Sequence, residues 1–182
     1  LHLASSFSDM YSARIRWESA KVYAKYRFLS LDEVHKHFRM AAFAQGSISC
    51  NNPFYDELRL EGDQSGFQYG IIATQLVNKL AVSATMSNIQ VLQESRWNKD
   101  LPQQYPYQAI DYTLSVGYLL FPRSYTDYKQ TNLNLYMEFL GQHTYDLSHS
   151  YAALAPAIQL IFNSNAKLNI GYRFQLASDM HR

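Results

Sequence analysis

Lys21, Tyr23, Lys25 and Arg27 occupy alternate positions near the start of the chain, and Arg39 follows on the next apolar-polar stretch. Basic side chains repeating along one face of an extended segment can line a passage, and rings of Lys and Arg favour anions. Other residues carry weaker chemical signals. His35 and His37 stand two apart, but no second pair of metal ligands is visible, so they read as rim histidines. His143 and His149, near Asp146, read the same way. Ser65 lies in Asp63-Gln64-Ser65-Gly66 without the G-x-S-x-G pattern, and no His-acid partner is placed beside it. A serine hydrolase of the outer-membrane phospholipase kind therefore has little support. Asp56, Glu57, Glu61 and Asp63 offer oxygen ligands, but EF-hand spacing is absent and a solvated acidic loop is the simpler reading. No catalytic group, metal site or cofactor is expected, and the chain is not expected to be an enzyme.

The elements that position these residues show a period of two. Ala20, Val22, Ala24, Tyr26 and Phe28 alternate with Lys21, Tyr23, Lys25 and Arg27, which fits a strand with one apolar and one polar face. A helix would spread the basic residues around its circumference. The same alternation runs through Phe38 to Gln45, Leu80 to Ser87, Tyr112 to Leu120, Asn132 to Phe139 and Leu168 to Leu176. Phe67 to Leu76 and Tyr151 to Phe162 are apolar on much of both faces. The pattern predicts eight strands, near 19–31, 36–48, 66–77, 80–92, 110–121, 131–142, 151–162 and 167–177.

Strands in globular proteins are usually about 5 or 6 residues long. A tilted strand that crosses a bilayer needs about 9 to 11, and the predicted strands reach that length. Their connections alternate in size. Asn78-Lys79 is a tight hairpin and Asn163-Ser164-Asn165-Ala166 a compact turn, whereas 49–66, 93–109 and 142–150 are longer. Pro122 in the link after Phe121 requires a bulge or an edge position. Short turns at one end and long loops at the other are the asymmetry of outer-membrane barrels.

Composition narrows the class. No run approaches about 18 consecutive apolar residues, so a helical membrane protein is excluded. Aromatics make up 15% of the chain, in keeping with strands and membrane interfaces. The net charge of +1 gives no case for nucleic acid. Cys50 is the only cysteine, so no intramolecular disulfide forms. The chain begins at Leu1 without Met or a signal peptide, as a mature form or a fragment would. The first clear strand leads to a short turn and the last rises from one, which would leave both ends on the long-loop side. Residues 1–18 read as part of a loop, although Ala13, Ile15 and Trp17 alternate with Arg14, Arg16 and Glu18. At least one further strand is expected at each end.

YAKYRFLSLDEVHKHFRMAAFA, TQLVNKLAVSATMS and APAIQLIFNSNAKLNIGYRFQLASDMHR together resemble uncharacterised outer-membrane β-barrel proteins of the Bacteroidetes type. The resemblance covers about a third of the chain. It implies fold and a Gram-negative outer-membrane location, and it transfers no functional residues.

The expected architecture is all-β: residues 1–182 as a single antiparallel up-and-down transmembrane β-barrel domain, about eight strands visible, part of a barrel of ten or more. Its lumen would be lined by Lys21, Tyr23, Lys25, Arg27, Arg39, Ser83, Thr85, Ser87, Thr113, Ser115, Asn132, Asn134, Glu138, Asn169, Arg173 and Gln175. Five of these are basic and one is acidic, a net charge of +4. Val22, Phe28, Met40, Val82, Met86, Leu114, Val116, Leu135, Phe139, Ile170 and Phe174 would meet outer-membrane lipid, with Tyr26, Tyr112, Tyr118 and Tyr172 in aromatic girdles. The leading functional expectation is a passive pore or transporter for small polar solutes, anions among the candidates. One alternative is a structural or binding barrel that engages a protein partner through its outer loops, its interior packed or plugged. Another is a soluble lipocalin-like barrel, whose apolar residues would face inward.

Overall fold

The computed structural model describes residues 2–8, 14–49, 56–60, 64–92, 106–122, 130–146, 148–162 and 165–180, with side chains from Ser19 onward. Among them the regular structure is all strand: β1 (His2–Ser8), β2 (Arg14–Asp32), β3 (Lys36–Ser49), β4 (Gly66–Val77), β5 (Leu80–Val91), β6 (Gln108–Phe121), β7 (Asn132–Thr144), β8 (Ser150–Phe162), β9 (Ala166–Gly171) and β10 (Phe174–Ser178). Consecutive strands pair antiparallel from β1 to β8, and β9 and β10 both pair with β8. Gly171 faces Ala157 and Phe174 faces Leu154 in one register, so β9 and β10 are halves of a single strand. The break falls opposite Pro156, which has no N–H for the ladder; Tyr172 N still donates to the Pro156 carbonyl at 3.1 Å. The result is an up-and-down sheet of nine strands, open between β1 and β10.

All eight expected strands are present. Two features differ from the sequence reading. Residues 14–18, expected in a loop, extend β2 backward, and β1 pairs along them, with Ser8 opposite Arg14 and His2 opposite Lys21. The alternation at residues 13–18 was itself strand pattern, and β1 supplies the partner ladder. Because β1 runs up to the long-loop end before β2 begins, the described chain starts alongside the middle of β2 rather than on the loop side. At the other terminus, Ser178 opposite Tyr151 does lie at the long-loop end.

Register fixes which side chains share a face. Lys25, Phe43, Gly70, Ser87, Asp111, Gln142 and Tyr151 form one cross-strand row. Tyr26, Ala42, Ile71, Met86 and Tyr112 form the next, on the opposite face. The first face is polar and the second apolar over most of the sheet. Three bulges preserve this division. The irregularity between Arg27 and Leu29 puts Leu29 opposite Met40 and Ser30 opposite Arg39. Strict alternation past Arg27 would have placed Leu29 and Leu31 on the polar face and Ser30 and Asp32 on the apolar one. Those between Leu119 and Phe121 and between Gln175 and Ala177 do the same for Phe121 and Ser178. The first of them precedes Pro122, where a bulge or edge was expected. Asn78 opens the two-residue hairpin with a φ of 53°, which Asn tolerates.

Burial is inverted relative to a soluble sheet. Ser19, Ser47, Ser49, Ser87, Ser115, Gln142 and Thr144 on the polar face are buried. Val22 (59%), Tyr26 (73%), Met86 (60%), Leu114 (47%), Leu135 (43%) and Ile170 (62%) on the apolar face are exposed.

Two glycines test the closeness of the ladder. A Cβ at Gly70 would meet the Met86 carbonyl oxygen and the Ser87 side chain, whereas at Gly46 the nearest atom is 3.9 Å away. Gly70→Ala should therefore destabilise the sheet by about 1–3 kcal/mol, the cost of overpacking. Gly46→Ala should be neutral or stabilising by up to about 1 kcal/mol. Urea unfolding of the two variants measures the difference.

Candidate functional site on the polar face

All sixteen residues expected in the lumen lie on the polar face. Lys21, Tyr23, Lys25 and Arg27 stand on β2, Arg39 on β3, Thr85 on β5, Ser115 on β6, and Asn134 and Glu138 on β7. Asn169 stands on β9, Arg173 between β9 and β10, and Gln175 on β10. The structure joins some of them to neighbours. Arg39 donates to Asp32 Oδ1 from Nη2 at 3.1 Å and from Nε at 3.3 Å, and His37 Nδ1 lies 2.8 Å from the same oxygen. Asn134 donates to Gln159 and Gln159 to Asn169, each at 3.0 Å. Arg173 lies 3.6 Å from Glu57 Oε1 and 5.4 Å above the Tyr151 ring. Among the described residues, Lys25 and Arg27 make no ion pair.

The connection between β3 and β4 returns across this face. Leu58 N donates to Gln142 Oε1 and Gln142 Nε2 to the Leu58 carbonyl, both at 2.9 Å. That amide pair clips a loop residue to β7, far from its own strands. Leu58 (1% exposed) and Leu60 (2%) then bury themselves on Ile89, Val91 and Ala109. Arg59 reaches Glu57 at 2.8 Å, and its N–H donates to Gln64 at 3.0 Å. One short segment thus lies on the polar face in contact with β5, β6, β7 and Arg173.

A side-chain chain underlies the clip. Gln45 Nε2 donates to Gln68 Oε1, and Gln68 Nε2 to Ser87 Oγ at 2.8 Å and Asp111 Oδ2 at 3.2 Å. Gln142 donates to Asp111 Oδ1 at 2.6 Å. Five strands are thus tied through part-buried side chains that satisfy one another, as polar groups away from water require.

Toward the short turns the polar face stays open. A cavity of about 840 Å³ is lined there by Thr74, Ser83, Ser115, Asn134, Gln159 and Asn169, from six strands. These six are neutral donors and acceptors, with Thr74 and Ser83 hydroxyls 2.9 Å apart, and Leu76, Leu119, Tyr136 and the cation of Lys79 also line the cavity.

The remaining sequence candidates do not converge. His37 serves Asp32, His143 stacks edge-on against Tyr145, and His149 N–H donates to Thr144 Oγ1 at 3.0 Å. Among the described residues no group of three or more His, Cys, Asp or Glu could hold a metal ion. Ser65 Oγ donates to the Ser49 carbonyl and accepts from Ser49 N–H, which ties the base of the loop rather than freeing a nucleophile. Cys50, Glu61 and Asp63 lie outside the described residues. Gln68, Asp111, Gln142 and the role of Glu57 were missed in the sequence. Asp111 continues the series from Thr113 and Ser115 and was within reach of the alternation; Gln142 is separated from Glu138 by Leu140, which hides its phase.

No protein-family model, curated protein or solved structure matches this chain.

Gln142→Leu would leave the Leu58 amide and carbonyl without partners and remove a donor to Asp111. A buried unsatisfied polar group costs about 1–3 kcal/mol, so the variant should lose at least that much and expose residues 56–60 to protease. Gln159→Leu, in the open cavity, should lose less and leave the loop protected. Urea midpoints and limited proteolysis provide the comparison.

Proposed function

We propose that this chain forms most of an outer-membrane β-barrel, akin to the Bacteroidetes-type proteins it resembles, that passes small polar, preferentially anionic solutes through a loop-narrowed interior. The observation that carries the reading is the inverted burial: polar side chains of the sheet lie inward against the returning loop while Val22, Met86, Leu114, Leu135 and Ile170 are exposed. Soluble monomers rarely expose such continuous apolar area, and lipid is the solvent for which it is stable. Strand lengths agree. A strand of about 12 residues is about 40 Å long; tilted by about 40°, it crosses the roughly 30 Å hydrocarbon core. The exposed Tyr26, Tyr112, Tyr118 and Tyr172 suit aromatic girdles. The outward apolar face weighs against a lipocalin-like ligand cavity, which needs the opposite orientation.

Within this reading, residues 56–60 narrow the loop end and the 840 Å³ cavity forms a vestibule at the turn end. The Lys21, Lys25, Arg27 and Arg39 wall would draw anions. A second reading, a structural or binding barrel, draws on the same segment: if it fills the lumen, the outer loops carry the function.

Two outcomes follow. In vesicles, Leu114→Arg should destabilise the protein by about 2–4 kcal/mol, read from reversible urea unfolding, whereas a water-exposed leucine would tolerate the change. In planar bilayers the full-length protein should give a small conductance with anion preference, enlarged by Gln142→Leu. Silence from both the native protein and Q142L would remove the pore and leave the binding barrel.

A further inference from the structure

The inner wall of β2 and β3 carries more than charge. Tyr23 and Phe43, diagonal neighbours across the ladder, stack with ring centres 5.9 Å apart and planes 29° from parallel. Phe43 faces Lys25 directly in register, and Arg27 is its other diagonal neighbour, opposite Ala41. On the far side Phe43 faces Gly70, which has no side chain to cover the ring. The rings therefore form a shelf bordered by two cations. Tyr23 is 46% exposed although it sits on the polar face. The neighbouring groups are already engaged: Gln45 with Gln68, and Arg39 with Asp32, which also takes His37 and Ser30. Among the described residues no carboxylate pairs with Lys25 or Arg27, so their charge is available to a ligand.

We infer that Tyr23, Phe43, Lys25 and Arg27 form a binding site for a small planar organic anion, its ring on the aromatic shelf and its charge between the two cations. Aromatic faces attract flat rings and cations alike, and a guanidinium offers a carboxylate or phosphate two parallel hydrogen bonds. Successive inward side chains on a strand lie about 6.6 Å apart, so Lys25 and Arg27 can grip one anionic group from two sides. A solute lacking either the ring or the charge loses half of the contacts. The inference rests on the inward orientation of the polar face proposed above and names the solute class for that wall. It does not require the barrel to conduct.

The test titrates the full-length protein in detergent by calorimetry with three probes: 4-nitrophenyl phosphate, inorganic phosphate, and the neutral 4-nitrophenyl glucoside. The aryl phosphate should bind at least about tenfold more tightly than either of the others. Tyr23→Leu or Phe43→Leu should bring it down to the level of inorganic phosphate, and the double variant Lys25→Gln/Arg27→Gln should weaken it at least about tenfold. Lys36→Gln, on the opposite face of β3, should stay within about twofold, and it shows that a loss in K25Q/R27Q is local. Native electrophoretic mobility of each variant confirms folding. Equal affinity for inorganic and aryl phosphate, or an affinity indifferent to Tyr23 and Phe43, would overturn the site. Binding without conductance in bilayers would overturn the pore and keep the site; conductance without selective binding would do the reverse.

Discussion

Two demands meet in every strand of this protein. Each peptide N–H and C=O must find a partner across the sheet, and each side chain must fall on the face that suits it. A slip of one residue satisfies the first demand and violates the second for a whole strand. The ladder from β2 to β8 meets both, with a partner strand on each side. Where strict alternation would fail, a bulge inserts one residue and restores the phase. The bulge at Phe28 is the clearest case, since it keeps Leu29 and Leu31 with Met40 and Phe38, and Ser30 and Asp32 with Arg39 and His37. The separation of faces is therefore built into the backbone.

Given that separation, the loop over the polar face becomes intelligible. A polar face cannot be covered by apolar packing alone, because its amides and carboxylates would lose water without replacement. Residues 56–60 solve this with a divided surface. Leu58 and Leu60 cover Ile89, Val91 and Ala109, while the backbone of Leu58 pairs with the Gln142 amide. The row from Gln45 through Gln68 and Asp111 to Gln142 supplies the remaining partners. Toward the turn end, among the described residues, Thr74, Ser83, Ser115 and Asn134 border a cavity of about 840 Å³. Among the described residues the polar face thus has a loop-covered half and a cavity-bearing half, with the cations of β2 and β3 toward one edge of the sheet.

Most strands were legible because the alternation is strong where one face is charged or hydroxylated. β2, β5 and β7 announce themselves through Lys25, Thr85 and Asn134. The sequence reading was weakest where local pattern carries no information about distant contacts. Gln142 and Leu58 are 84 positions apart, and nothing near either residue signals the other. Gln68 sat in a stretch apolar on both faces, so its phase was visible only once β3 and β5 flanked it. Residues 1–18 read as part of a loop in the sequence, yet residues 2–8 form β1 and pair with 14–21. The break at Tyr172 is a pairing effect of Pro156 on the neighbouring strand, which no reading of residues 166–178 alone could supply.

The face assignment is tested most directly by depth-resolved fluorescence quenching. Single tryptophans placed in turn at positions 112 to 117, in a background lacking the two native tryptophans, are reconstituted into vesicles whose lipid chains carry bromine. The account predicts a sawtooth along β6: quenching at 112, 114 and 116, and little at 113, 115 and 117. A flat profile, or quenching at the odd positions, would contradict it.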